Sequence, residues 1–224
     1  MTTTATSRRE AKDALFDGFA TIARALASGR RAEVIELLAQ GERTVDEIAR
    51  EIGQSVANTS HHLRALARAG LVSTRRSGTH VHYRLASPAV VDAWVALRDL
   101  AGERLDALPS LAAAYLGDRD ELQTITRDEL DERLQRGDLV LIDVRPEAEY
   151  AAGHIPGAIS TPPDQLDHAL EELPDEDEVV AYCRGPYCVY ADDAVRTLQA
   201  RGRQAMRLED GLPEWRRNGG TIEV

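Results

Sequence analysis

The sequence predicts two domains, a mainly helical one closed by a β-hairpin and then an α/β domain built on a parallel sheet. Three observations predict it. The chain has 224 residues, 43% hydrophobic and 29% charged, enough apolar material for two small cores. Apolar positions follow a helical period up to residue 108, with a single alternating stretch at 71–85, and then give way to short apolar runs separated by helical ones. Charge divides the same way: residues 1–116 hold 15 Lys and Arg against 13 Asp and Glu, residues 117–224 hold 12 against 25.

In the first part, residues 1–10 read as a frayed tail, and a helix runs through Ala14, Phe16, Phe19, Ile22 and Leu26. A second helix spans Arg31–Ala39 and stops at Gly41. Thr44 and Glu47 form a capping-box pattern that opens a third helix over Val45–Glu51, ended by Gly53. A fourth covers Ser55–Ala69 and ends at Gly70. Leu71–Leu85 alternates and turns at Ser77-Gly78, a hairpin, and a long helix follows over Pro88–Leu108.

The polar stretch from Leu116 to Glu121 breaks the helical pattern and places a linker at 111–121, between domains at 11–110 and 122–224. Beyond it, strands are expected at Leu122–Ile125, Leu139–Val144, Ala158–Ser160, Glu178–Tyr182 and Gln204–Leu208. Helices are expected at Arg127–Gln135, Asp164–Glu172, Val189–Arg201 and Leu212–Asn218; strands joined by crossover helices form parallel sheets.

Helix, Gly-containing turn, helix and hairpin over residues 44–85 describe a winged helix-turn-helix, whose second helix enters the DNA major groove. Leu63, Leu66 and Ala67 share the inward face, which leaves Asn58, Ser60, His61 and Arg64 for base edges and phosphates. Arg75, Arg76 and His80 at the hairpin are placed for backbone or minor-groove contact. Net charge is −11 at a sequence pI near 5.0, so the DNA contact rests on local arginines rather than on a global field.

Residues 12–108 resemble the ArsR/SmtB family of winged-helix repressors, on Ile48-Ala49, Ser60–Arg64, Leu66, Ala69–Val72, Gly78 and Tyr83–Leu85. The resemblance implies a homodimer formed through the first and last helices of the domain, double-stranded DNA with an inverted-repeat operator as partner, and repression. Ser60 and His61 match family positions that contact DNA. The family's two metal patterns are missing here: residues 44–51 contain no Cys, and no His follows in the closing helix after Asp92. No metal and no cofactor is expected.

The two cysteines, Cys183 and Cys188, stand five apart. Thiols so close in sequence cannot staple distant loops; they suit redox, sulfur or metal chemistry. Cys183 follows a buried-looking strand and a helix begins near Val189, so the loop Arg184–Cys188 aims N–H groups and a positive helix end at the sulfur. That cradle, with Gly185, Pro186, Tyr187 and Val189, suits a thiolate or a persulfide anion, and Arg184 adds positive charge. Cys188 can then attack a persulfide on Cys183, release sulfide and leave a disulfide.

Residues 121–224 resemble the rhodanese family, on Leu141–Arg145, Glu149-Tyr150, Gly153–Ile159, the Cys183 loop, Asp210–Leu212 and Trp215. The resemblance implies an α/β sandwich around a five-stranded parallel sheet, Cys183 as sulfur acceptor, and Asp143 and Arg145 beside the active site. Val189 stands where related phosphatases carry an Arg, which argues against phosphatase activity. The reading is therefore a regulator that responds to small reactive sulfur species or redox state through Cys183 and Cys188. A DNA-tethered sulfurtransferase using a thiosulfate or persulfide donor, and a constitutive repressor whose second domain is an interaction module, remain alternatives. With no apolar run of membrane-span length and no signal-peptide pattern in residues 1–10, the expected location is the cytoplasm, with no membrane partner.

Overall fold

The computed structural model describes residues 7–172 and 178–224 and divides into two compact units, Met1–Leu97 and Arg98–Val224. The element order is α1 (Arg8–Leu26), α2 (Gly29–Ala39), β1 (Arg43–Thr44), α3 (Val45–Glu51), α4 (Val56–Arg68), β2 (Val72–Ser77), β3 (His80–Leu85), α5 (Pro88–Arg104) and α6 (Leu108–Leu116). It continues with β4 (Thr124–Ile125), α7 (Arg127–Arg136), β5 (Val140–Asp143), α8 (Glu147–Ala151), β6 (Ile159–Ser160) and α9 (Leu166–Glu172). Last come β7 (Val179–Cys183), α10 (Val189–Ala200), β8 (Ala205–Gly211) and α11 (Leu212–Arg217).

Local chemistry explains most boundaries. Thr44 accepts the Glu47 N–H while Glu47 accepts the Thr44 N–H at 2.6 Å, the capping box that starts α3. The Thr44 backbone N–H is the main reason the Glu47 carboxyl is held below its ordinary range. A second capping box, Ser7 with Glu10, starts α1 at Arg8, so residues 8–10 are helical where the sequence suggests a frayed tail; residues 1–6 of that expected tail lie outside the described residues. The long helix stops at Arg104 rather than Leu108, and a separate helix, α6, opens with Pro109 in its first turn and ends before Gly117 at φ 74°. The expected linker is therefore helical over 111–116 and irregular only from Gly117 onward.

In the first unit β1, β3 and β2 make an antiparallel sheet with β3 central. Its core gathers Leu26, Ile35, Leu38, Ile48, Leu63 and Leu66 from four helices. Along α4 the inward positions are Thr59, Leu63 and Leu66, spaced four and three apart, whereas Ala67 is exposed. That corrects the expected inward face. Thr59 tolerates burial because its hydroxyl donates to the Ser55 carbonyl at 3.0 Å.

The second unit holds a five-stranded sheet, order β4-β8-β7-β5-β6, parallel in every pairing. Strand alternation sorts its residues to two faces. Val179, Ala181 and Cys183 of β7 pack with Ala191, Ala194, Val195 and Leu198 of α10. Val180 and Tyr182 face the other way, toward Leu130, Ile155 and Trp215. The short helix α8, which periodicity over five residues could not signal, delivers Glu149 to the interior.

Candidate functional site

On α4, Asn58, His61 and Arg64 are exposed and Ser60 is half-buried, so the four polar residues singled out from the sequence share the solvent side of the helix. Arg64 Nε donates back to the Ser60 carbonyl at 3.1 Å, which orients its guanidinium along the helix. In the hairpin, Arg76 and His80 are exposed, on β2 and β3 respectively, and Arg76 pairs across to Val81. Arg75 is exposed too, but its Nε and Nη2 both donate to Glu42 Oε2, at 2.9 and 2.7 Å, and Arg84 Nη1 lies 3.8 Å from Oε1 of the same carboxylate. The wing thus offers less uncompensated charge than its sequence suggests. An exposed pair of this kind is screened by solvent and holds Arg75 only weakly.

The cysteine loop lies at the carboxyl ends of the central strands. Cys183 is the last residue of β7 and Cys188 is the N-cap of α10; their sulfurs are joined in a disulfide across a Cα–Cα distance of 6.3 Å. The strand-to-helix connection therefore brings together the two thiols that the sequence singled out. Between them the Cys188 N–H donates to the Gly185 carbonyl at 3.1 Å, and Pro186 has no N–H to offer. The amide cradle is correspondingly smaller than the sequence suggests, with one loop donor spent on a turn.

Cys183 is only 2% exposed and sits among Ile142, Val144, Ala181 and Ala191. The sulfur therefore has an apolar wall on one side and, through its bond to Cys188, the N-terminal end of α10 on the other. Arg184 was expected to add positive charge. Instead it binds the fully buried Glu149, Nη2–Oε1 2.6 Å and Nε–Oε2 3.0 Å, and its guanidinium lies 5.5 Å from the Tyr190 ring centre. Its charge is matched within the protein.

Asp143 and Arg145 are fully buried and bonded to each other, Nη2–Oδ2 2.5 Å, with the backbone N–H of Arg145 also donating to Asp143 Oδ1 at 3.0 Å. Strand register sets Asp143 opposite Tyr182, whose hydroxyl donates to Asp143 Oδ2 at 2.5 Å and accepts the Ile155 N–H at 3.1 Å. Burial, then the nearby Asp143 carboxylate, pushes the Tyr182 hydroxyl far above its ordinary value, so it stays a neutral donor. Arg145 Nη2 also donates to the Gly153 carbonyl at 2.8 Å. This network lies on the sheet face opposite Cys183.

Three residues that sequence reasoning missed complete the surroundings of the loop. Arg119 reaches it from the stretch read as linker, its Nη1 donating to the Pro186 carbonyl at 2.8 Å. Glu214, at the start of α11, accepts the Gly211 N–H at 3.1 Å and Arg98 Nη1 at 2.7 Å. A Cβ on Gly185 would stand 3.8 Å from both Arg98 Nη1 and Glu214 Oε2, so this ion pair borders the loop. Arg119 has partners 67 to 73 positions away and the Arg98–Glu214 pair spans 116, distances at which no local sequence signal operates, although Glu214 also closes a local box with Gly211. Among the described residues no group of three or more His, Cys, Asp or Glu is arranged to hold a metal ion, and no helix is long and apolar enough to cross a membrane.

Residues 28–74 match the family of bacterial regulatory proteins, arsR family, and residues 126–218 match the rhodanese-like domain. The chain is 45% identical to the HTH-type transcriptional regulator Rv0324 of Mycobacterium tuberculosis over 212 residues, covering 95% of this chain and 93% of that protein. It is 34% identical over 99 residues to a sulfurtransferase of Allochromatium vinosum, covering 44% of this chain and 92% of that one. Among solved structures it is similar to the homodimeric winged helix-turn-helix DNA-binding domain of Mb0332 from Mycobacterium bovis, 41% identical at a TM-score of 0.41, covering 46% of this chain and 93% of that one.

Proposed function

Because this chain belongs to the ArsR family of transcriptional regulators and carries a C-terminal rhodanese-like domain, we propose that reactive sulfur or oxidation at Cys183 and Cys188 controls its grip on DNA. The observation that carries this reading is the disulfide that joins the end of β7 to the start of α10. A domain that brings two thiols to bonding distance at a strand-to-helix junction has a ready two-state element there.

The chemistry balances with a polysulfide as donor. The Cys183 thiolate attacks a sulfane sulfur and forms Cys183–S–S⁻, while the shortened polysulfide leaves as the reduced fragment. The Cys188 thiolate then attacks the Cys183 sulfur, the persulfide S–S bond breaks, and sulfide departs with a proton. Two thiols are oxidised to a disulfide and one sulfane sulfur is reduced to sulfide. In this reading the helix end behind Val189 favours the anionic sulfur, Arg184, Gly185, Pro186 and Tyr187 shape the loop, and the buried Asp143–Arg145 pair braces the strand beside it.

On DNA, a homodimer places Asn58, Ser60, His61 and Arg64 of each copy in successive major grooves of an inverted repeat, with Arg75, Arg76 and His80 on the flanking backbone. The exposed apolar side chains of α1, Leu15, Phe16 and Phe19, are the surface such a dimer covers. The protein acts in the cytoplasm, as a repressor, with no membrane partner. A coupling of about 1–3 kcal/mol between loop state and operator changes affinity about 5–150-fold.

The test is operator binding, on a DNA site selected from random duplexes, with and without polysulfide, for wild type and Cys183→Ser. The expected result is a change of about 5–150-fold in wild type and none in Cys183→Ser. Equal responses in both would end the sulfur-sensing reading, and a wild type that never responds would leave a constitutive repressor. The similarity to a sulfurtransferase favours a second reading, an enzyme tethered to DNA. Multiple turnovers with thiosulfate would support it, whereas a single stoichiometric modification of Cys183 supports the sensor.

A further inference from the structure

We propose that Arg119 is the positioning residue of the Cys183–Cys188 couple, a clamp on the loop carbonyls that favours the closed disulfide over the open dithiol. The inference rests on the sulfur-chemistry reading above and adds a residue to it. Arg119 lies two residues past Gly117, outside every helix and strand, yet all three of its guanidinium nitrogens are engaged. Nη1 donates to the Pro186 carbonyl at 2.8 Å, Nη2 to the Cys188 carbonyl at 3.4 Å, and Nε to Asp192 Oδ2 at 2.6 Å. The first two acceptors belong to the loop that links the sulfurs. The third is a fully buried carboxylate on the first turn of α10, which anchors the arm.

The clamp is reinforced from two sides. Arg207 of β8 places Nε 3.0 Å from Asp192 Oδ1 and donates Nη2 to the Pro186 carbonyl at 3.4 Å. Two guanidiniums thus share one buried carboxylate. Burial and the neighbouring Arg119 charge push the Arg207 pKa down from its ordinary value. Beside the loop the guanidiniums of Arg119 and Arg207 face Asp192, whereas that of Arg184 is taken up by Glu149. On the other side Arg196 donates to the Asp118 carbonyl at 2.7 Å and fastens residues 118–119 to α10.

With the disulfide closed, the Pro186 and Cys188 carbonyls point at one guanidinium. Opening the loop frees Cys188 and lets those carbonyls turn to water, at the expense of two charge-assisted hydrogen bonds. The clamp therefore acts on the balance between dithiol and disulfide more than on folding. A lysine in its place keeps a cation beside Asp192 but lacks the planar fork that reaches three oxygens at once.

The experiment equilibrates the full-length chain with glutathione, in which dithiol and oxidised glutathione exchange with protein disulfide and two reduced glutathiones, and reads the disulfide fraction by alkylation and intact mass. Wild type, Arg119→Lys and Arg119→Gln are compared. The expected result is an equilibrium constant for disulfide formation lowered about 10-fold or more in both variants, the size of one charge-assisted bond. Thermal unfolding of reduced Arg119→Lys should stay near wild type, whereas Arg119→Gln, which leaves the buried Asp192 to Arg207 alone, should unfold at a lower temperature. Constants equal to wild type in Arg119→Lys would overturn the proposal, and that variant decides alone if Arg119→Gln does not fold. A wild type that forms the disulfide without any change in operator affinity would instead remove the sensing reading and leave the clamp standing.

Discussion

Asp143→Ala is expected to destabilise the second unit by about 3–5 kcal/mol, the cost of leaving one member of a buried ion pair without its partner. The carboxylate is fully buried and accepts from the Arg145 backbone N–H, the Arg145 guanidinium and the Tyr182 hydroxyl. Through these bonds it ties β5 to β7 and, by way of Arg145 and Tyr182, to the Gly153 carbonyl and the Ile155 N–H. Removing it strands a guanidinium in the interior and deprives a phenol of its acceptor. Urea unfolding followed by the fluorescence of Trp215, buried on the same sheet face, measures the loss. Tyr182→Phe, which deletes only the hydroxyl, should cost about 1–3 kcal/mol by the same measurement. A change below about 1 kcal/mol in Asp143→Ala would mean that the network does not brace the sheet.

Gly211→Ala should both destabilise the unit and open the reactive loop. Gly211 is the strand partner of Cys183, at the register shift where β8 meets the end of β7. A Cβ there would fall on the Gly185 amide and lie 2.5 Å from the Arg184 carbonyl carbon and the Gly185 Cα. The φ of −130° is open to any residue, so the requirement for glycine is one of space alone. Backbone cannot yield as a flexible side chain does, and forced overpacking of this kind costs about 1–3 kcal/mol. The strand end must part from the loop, and the Gly211 N–H then leaves Glu214. The expected readout is a lower unfolding midpoint together with a smaller disulfide fraction at fixed glutathione ratio. Gly185→Ala is the internal control: its Cβ would meet only the Arg98 and Glu214 side chains, at ordinary contact distance. If both alanines behaved alike, the close approach at Gly211 would not be what shapes the loop.

How much of this was legible depended on how local the cause was. The Thr44–Glu47 capping box starts α3 from contacts three residues apart, and the hairpin turns at a Gly78 with φ 59°; both could be read directly. The succession of strands and helices, the presence of a helical and an α/β domain, and the closeness of Cys183 to Cys188 also follow from patterns of short range, whereas the order of the strands in the sheet does not. Ala67 was misplaced because helical period admits both i+3 and i+4 from Leu63 to the inward face, and here the buried stripe is carried by Leu66 and by Thr59, whose hydroxyl has an internal acceptor. The compensation of Arg75 by Glu42 and of Arg184 by Glu149 spans 33 and 35 residues, beyond any pattern in the sequence. Arg119 was the least visible of all, a lone basic residue in a polar stretch, with partners 67 to 73 positions away. For the three arginines it was the long-range charge pairing that the sequence could not show.

The most direct test of the central claim reads DNA binding and sulfur state in one sample. Wild-type protein is titrated with polysulfide, operator occupancy is followed, and the intact mass is recorded at each point. The account predicts that affinity shifts in step with a species about 2 Da lighter than the reduced chain, preceded by one about 32 Da heavier, and that Cys183→Ser shows neither the mass change nor the shift. An affinity that moves while both cysteines stay reduced, or a disulfide that forms without moving it, would contradict the account.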